Sequence, residues 1–100
     1  MTPILPAERP RLSPRARLQT DRVTGKPIVL YPEGVLVLNP SGHAIATLCT
    51  GNDTLAEIVA KLSVQFGVSP ATLLPQVTDF LDRLRSKNLL AIASQGKEES

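Results

Sequence analysis

One hundred residues with a formal charge of +2 and 42% apolar side chains suffice for one domain and leave no room for a second. The apolar content is almost wholly aliphatic, and the single cysteine, Cys49, excludes an internal disulfide and with it the disulfide-stapled secreted class. Met1 to Leu18 is broken by four prolines and four arginines, and no apolar run approaches the ~20 residues of a bilayer span. The expectation is a cytoplasmic protein with no membrane partner.

The charge is unevenly placed. Residues 1–26 carry six basic and two acidic side chains, whereas residues 27–100 carry five basic and seven acidic. The basic character therefore belongs to the N-terminal stretch. Residues 1–16, with Pro3, Pro6, Pro10 and Pro14, are read as an extended basic arm that the prolines keep out of any sheet ladder. Residues 17–92 are read as the folded domain and 93–100 as a flexible tail.

Arg17-Leu18-Gln19-Thr20 begins a short strand, and Thr24-Gly25-Lys26 turns the chain into the apolar run Ile28-Val29-Leu30-Tyr31. Pro32-Glu33-Gly34 makes a second tight turn into Val35-Leu36-Val37-Leu38. Beyond it the punctuation is helical. Asn39 is an N-cap with Pro40 at the first helical position, and a helix of about ten residues is expected to end near Gly51. Thr54 and Glu57 form a T-x-x-E capping box opening a second helix, with Leu55, Ile58, Val59 and Leu62 at helical spacing and Gly67 as its stop. Ser69-Pro70 opens a third helix to about Lys87, in which Pro75 predicts a kink or a restart. Leu89, Leu90 and Ile92 close the domain. The order predicts an α+β, winged-helix-like fold, a three-stranded antiparallel sheet followed by three helices.

The segment Leu30-Tyr31-Pro32-Glu33-Gly34, followed by Leu38-Asn39, Leu48-Cys49, Gly51, Thr54 and Glu57-Ile58, resembles the PqqD family over roughly residues 15–92. Its most specific part is the Tyr-Pro-Glu-Gly and Leu-Asn pair. The family consists of peptide chaperones of pyrroloquinoline quinone (PQQ) biosynthesis, recognition elements for ribosomally made, post-translationally modified peptides. The resemblance implies a non-catalytic protein that binds a PqqA-like precursor peptide and presents it to a PqqE-like radical S-adenosylmethionine enzyme. Two positions depart from the pattern: Thr50, where an acidic residue is expected, and Pro75 within the last helix.

The residues themselves are compatible with such a role. The third strand ends the sheet, and an end strand leaves N–H and C=O groups that can template an extended peptide as a fourth strand. Both faces of that strand are apolar, so both are expected to be covered. Burial by helices alone and peptide binding are the alternatives there. The candidate peptide-binding residues are Val35, Leu36, Val37, Leu38 and Asn39, with Leu74, Thr78, Leu81 and Arg85 on one stripe of the third helix. Leu73, Val77, Phe80 and Leu84 on the next stripe are read as core. The open edge would equally admit a homodimer by strand pairing.

No catalytic or metal-binding constellation is legible. His43 and Cys49 lie about 120° apart on a helix and do not converge, and zinc wants about four ligands. Neither G-x-G-x-x-G nor a phosphate-binding P-loop occurs. No cofactor is expected. The alternative function is a winged-helix DNA-binding protein, but Asp79 and Asp82 among Arg83, Arg85 and Lys87 make the third helix a poor phosphate reader, so no nucleic-acid partner is expected.

Overall fold

In a computed structural model, which describes residues 4–93, the chain from Arg17 folds as its alternation predicts. Strands β2 (Arg17–Thr20), β3 (Pro27–Tyr31) and β4 (Gly34–Val37) form an antiparallel sheet in the order β2-β3-β4. The first hairpin closes with the Asp21 N–H, the residue Asp21 also receiving bonds from the turn: its N–H donates to the Lys26 carbonyl, and its carbonyl accepts from Gly25 N, both at 2.8 Å. Gly25 sits there at φ +73, the left-handed region that favours glycine. The second hairpin has only Pro32 and Glu33 between the paired Tyr31 and Gly34.

Three helices follow: α1 (Pro40–Thr47), α2 (Leu55–Phe66) and α3 (Pro70–Ser86). The architecture is α+β. The Thr54–Glu57 capping box is complete, with Glu57 N donating to Thr54 Oγ1 at 3.1 Å and Thr54 N donating to Glu57 Oε1 at 2.8 Å. Gly67 ends α2 in the left-handed conformation. There is no restart at Pro75, and α3 is continuous through it. Pro75 forfeits only one ladder bond near the start of the helix, whereas burying Leu73 before it and Val77, Leu81 and Leu84 after it favours a continuous helix. Asn88, at φ +60, ends α3, with Leu89 N donating back to the Leu84 carbonyl at 2.9 Å.

The first helix is shorter than expected, for a tertiary reason. Residues 49–51 leave it to pair with the N-terminal stretch: Leu12 N donates to the Cys49 carbonyl at 3.0 Å, and Gly51 N, at φ +85, donates to the Pro10 carbonyl at 3.1 Å. That stretch holds strand β1 (Arg9–Leu12), whose other side pairs antiparallel with β5 (Leu90–Ala93). The expectation that prolines keep this segment out of a ladder is thus corrected. Ser13 N donates to the Leu89 carbonyl, so by alternation Arg9 and Arg11 exchange bonds with β5 and Pro10 does not. Pro10 therefore occupies a position where its missing donor removes nothing from the β1–β5 ladder. Residues 1–3 and 94–100, the outer parts of the expected arm and tail, lie outside the described residues.

The core joins both sheets to all three helices. Val29 and Leu38 from the central sheet, Ile45 and Ala46 from α1, Ile58 and Leu62 from α2, Val77, Leu81 and Leu84 from α3 and Leu89 and Leu90 near β5 pack into one cluster. Ile4 joins the cluster and Pro10 is fully buried, which makes the N-terminal segment part of the hydrophobic structure. Its backbone is tied in as well, through Leu55 N to the Glu8 carbonyl at 2.9 Å and Ala56 N to the Pro6 carbonyl at 3.1 Å.

Removing residues 1–14 is therefore expected to be severe rather than neutral. Losing the burial of Ile4 alone removes about 1.5–3 kcal/mol, and the freed β5 and residues 49–51 lose their partner strand. A melting temperature lower by about 10 °C or more is expected in thermal denaturation of a variant lacking residues 1–14. A shift of less than about 2 °C, corresponding to well under 1 kcal/mol in a domain of this size, would contradict the packing of β1.

Candidate functional site

The outer strands of the central sheet are β2 and β4, and β4 is the apolar one. Its register sets Val37 opposite Ile28, Leu36 opposite Val29 and Val35 opposite Leu30, and Leu38 N donates to the Pro27 carbonyl at 2.9 Å. In an antiparallel ladder the bonded positions alternate, so Leu36 and Leu38 direct their backbone groups at β3, while Val35 and Val37 direct theirs outward. The side chains alternate in step. Leu36 packs against the core and Leu38 is buried, whereas Val35 and Val37 are 50% and 59% exposed. The expectation that both faces of this strand are covered is corrected: helices cover one.

Asn39 follows the strand and caps α1, its Oδ1 accepting from Gly42 N at 2.7 Å and from the Ser41 hydroxyl at 3.1 Å. Two clefts meet at this residue. One, of about 170 Å³, lies between the start of α1 and α3 and is lined by Asn39, Gly42, Gln76, Asp79, Phe80 and Arg83. The other, of about 670 Å³, lies between the β2–β3 turn and α1, with Lys26, Pro27, Val37, Pro40 and His43 around it. The first therefore offers an aromatic ring with both a carboxylate and a guanidinium at hand, and the second a cation and an imidazole beside apolar walls.

The four α3 residues expected on one stripe lie in different surroundings. Leu74 opens into a separate apolar cleft of about 270 Å³ with Pro6, Leu55, Ala56, Val59 and Pro70, none of them on β4. Leu81 is fully buried and belongs to the core. Thr78 is half-buried and donates its hydroxyl to the Leu74 and Pro75 carbonyls, at 3.0 and 3.1 Å. Arg85 is bound to Asp82 at 3.0 Å. The α3 residues that line a cleft with Asn39 are Gln76, Asp79, Phe80 and Arg83, one row of helical spacing containing a residue expected in the core. A signal for it exists in the sequence at Gly42. Glycine inside a helix is unfavourable by about 1 kcal/mol relative to alanine, and here a Cβ would come within 3.0 Å of both Phe80 Cε1 and Asn39 Oδ1. The glycine permits α1 to approach the Phe80 ring.

His43 and Cys49 remain apart in chemistry as in space. His43 lines the larger cleft, while Cys49 is buried and donates its thiol to the Ile45 carbonyl at 3.3 Å. Desolvation pushes the Cys49 pKa up to about 12, which keeps the thiol protonated and unreactive near neutrality. Arg15 clamps Glu33, on the turn into β4, through both carboxylate oxygens at 2.7 Å, but the pair is exposed and contributes little to stability.

The family model for coenzyme PQQ synthesis protein D (PqqD) matches residues 28–90. The chain is 37% identical over 71 residues to a PqqA binding protein of Methylococcus capsulatus, covering 71% of this chain and 74% of that one. It is 32% identical over 92 residues to a PqqA binding protein of Xanthomonas axonopodis pv. citri, covering 92% of this chain and all of the relative. Among solved structures it is similar to the PqqD truncation of Methylobacterium extorquens PqqCD, a stand-alone recognition element for ribosomally synthesized and post-translationally modified peptides, with TM-score 0.71 and 29% identity over 82% of this chain and 87% of that one. TbiB1, solved in complex with the TbiA(beta) leader peptide, shares the fold at TM-score 0.67 and 22% identity, over 89% of this chain and 99% of that one. The match extends from the central strand of the sheet through all three helices to the beginning of β5, and on it the chain belongs to the PqqD family.

Proposed function

We infer that this chain is a non-catalytic chaperone that binds a PqqA-like precursor peptide as an added strand on β4 and presents it to a PqqE-like radical S-adenosylmethionine enzyme in PQQ biosynthesis. The observation that carries the reading is the unpaired outer edge of β4, where the backbone groups of Val35 and Val37 face away from β3. The relatives named as PqqA binding proteins support the choice of peptide. A peptide residue opposite Leu38 would point to the helix side of the sheet, toward the Phe80 cleft beyond Asn39. No charged side chain stands on β4 to repel an incoming strand, the usual protection of an exposed edge.

The role assigned to the chain is binding and positioning. Cys49 is a protonated buried thiol, and His43 shares its cleft with the exposed Lys26 but with no carboxylate, hydroxyl or thiol, so neither suggests a covalent step. DNA binding is less well supported, since Asp79 lies on the accessible side of α3 and Asp82 neutralises Arg85. A second copy pairing along β4 would occupy the same backbone groups, so a homodimer of that kind and the peptide complex would exclude one another.

Calorimetric titration with the PqqA-type precursor of the same organism should show one peptide per protomer. The peptide mass should be unchanged by mass spectrometry after prolonged incubation with the pure protein. A modified or cleaved product free of contaminating enzymes would count against a purely binding role.

Proline replacements separate the fold from the template. Leu36→Pro removes a donor aimed at β3 and is expected to destabilise by ~3 kcal/mol or more. Val37→Pro removes an outward donor, so it should melt nearly as the parent does yet lose much of its affinity for the peptide. A folded Val37→Pro protein that binds as tightly as the parent places the binding surface elsewhere.

A further inference from the structure

The same register that frees the edge dictates which side chains of a guest strand meet which surface. On the solvent face of the sheet, β2 contributes Arg17 and Gln19, β3 contributes Leu30 and Ile28, and β4 contributes Val35 and Val37, paired across in that order. The face is therefore polar at one edge and apolar at the other. Exposure of the apolar residues rises toward the open edge, from 7% at Ile28 and 37% at Leu30 to 50% at Val35 and 59% at Val37. Ile28 stands apart from the main core, so this is a second apolar block with one side unfinished.

We propose that the bound peptide completes this block with two aliphatic side chains at positions i and i+2, lying on the solvent face in cross-strand pairs with Val37 and Val35. The proposal rests on the strand-addition reading and deepens it by stating what the site selects. Val35 and Val37 are the residues whose backbone groups face the open edge, and in an antiparallel ladder the residues that exchange hydrogen bonds stand directly opposite with side chains on the same face. Any strand bonded there thus puts residues i and i+2 beside the two valines, and residue i+1, opposite Leu36, on the helix side. On this face Arg17 is two strands away, roughly 10 Å by strand spacing, and Lys26 shares a cleft with Val37, so the immediate cross-strand neighbours of i and i+2 are the aliphatic side chains of the two valines. The occupant is the peptide itself, since the block is continuous with the edge that holds it.

The test uses the full chain and a synthetic PqqA-type precursor peptide in calorimetric titration. The double variant Val35→Thr/Val37→Thr keeps the shape and strand preference of valine but replaces a methyl with a hydroxyl on each side chain. It should melt close to the parent and bind the peptide about two- to thirtyfold more weakly, the sum of two lost cross-strand pairs. The double variant Val35→Ile/Val37→Ile should bind as tightly as the parent or more tightly. Parent-like affinity in the threonine variant, or weaker binding in the isoleucine variant, overturns the apolar pairing while leaving strand addition standing. A parent protein that does not bind the peptide at all brings down the strand-addition reading and this proposal with it.

Discussion

In a β-strand the direction of the backbone groups and the direction of the side chain alternate together, and much of this molecule follows from that coupling at β4. Leu36 and Leu38 are drawn into the core, against which Val29 of the neighbouring strand is already fully buried. Once they face inward, their N–H groups must face β3, as the bond from Leu38 to Pro27 records. Val35 and Val37 are left with exposed side chains and unpaired backbone on the same two residues. A slip of one residue would expose Leu36 and Leu38 to water and turn the valines inward, so burial of two leucines holds the register of the open edge.

The core that enforces this register is assembled from both ends of the chain. β1 is held between β5 and residues 49–51, and Ile4 and Pro10 are buried with it. This clasp determines where α1 ends, because Cys49 and Gly51 cannot pair with β1 and continue a helix together. A short α1 in turn sets the path to Thr54, where the complete capping box starts α2. The unbroken α3 closes the arrangement, its four buried residues outweighing the one bond that Pro75 forfeits.

The clefts beside the edge are consequences of the same packing. Gly42 lets the first turn of α1 approach Phe80, and a cleft lined by Asn39, Phe80, Asp79 and Arg83 opens beside that contact. Asn39 then joins strand, helix cap and both clefts in one residue. A strand laid along β4 would run from a surface governed by backbone hydrogen bonds to one governed by an aromatic ring and the charges of Asp79 and Arg83.

The local elements were legible in the residues because their causes are local. Turns at Gly25 and Pro32-Glu33, caps at Asn39, Thr54 and Ser69, the stop at Gly67 and the apolar periodicity of α2 and α3 each depend on neighbours within a few positions. The α+β order and the Tyr31–Gly34 and Leu38–Asn39 motifs that mark the family could therefore be read without coordinates. Contacts between residues far apart in sequence could not. The prolines of the N-terminal stretch argue locally against a ladder, and only the approach of β5 and residues 49–51 shows that Pro10 falls where no β1–β5 bond is lost. The parity of Leu36 and Val37 is likewise undetermined by a strand apolar at every position, since either assignment buries two aliphatic residues. Tertiary packing decided it, and it decided which row of α3 shares a cleft with Asn39, because the angle at which a helix lies on its neighbours is set by side-chain fit across the core rather than by the helix's own period.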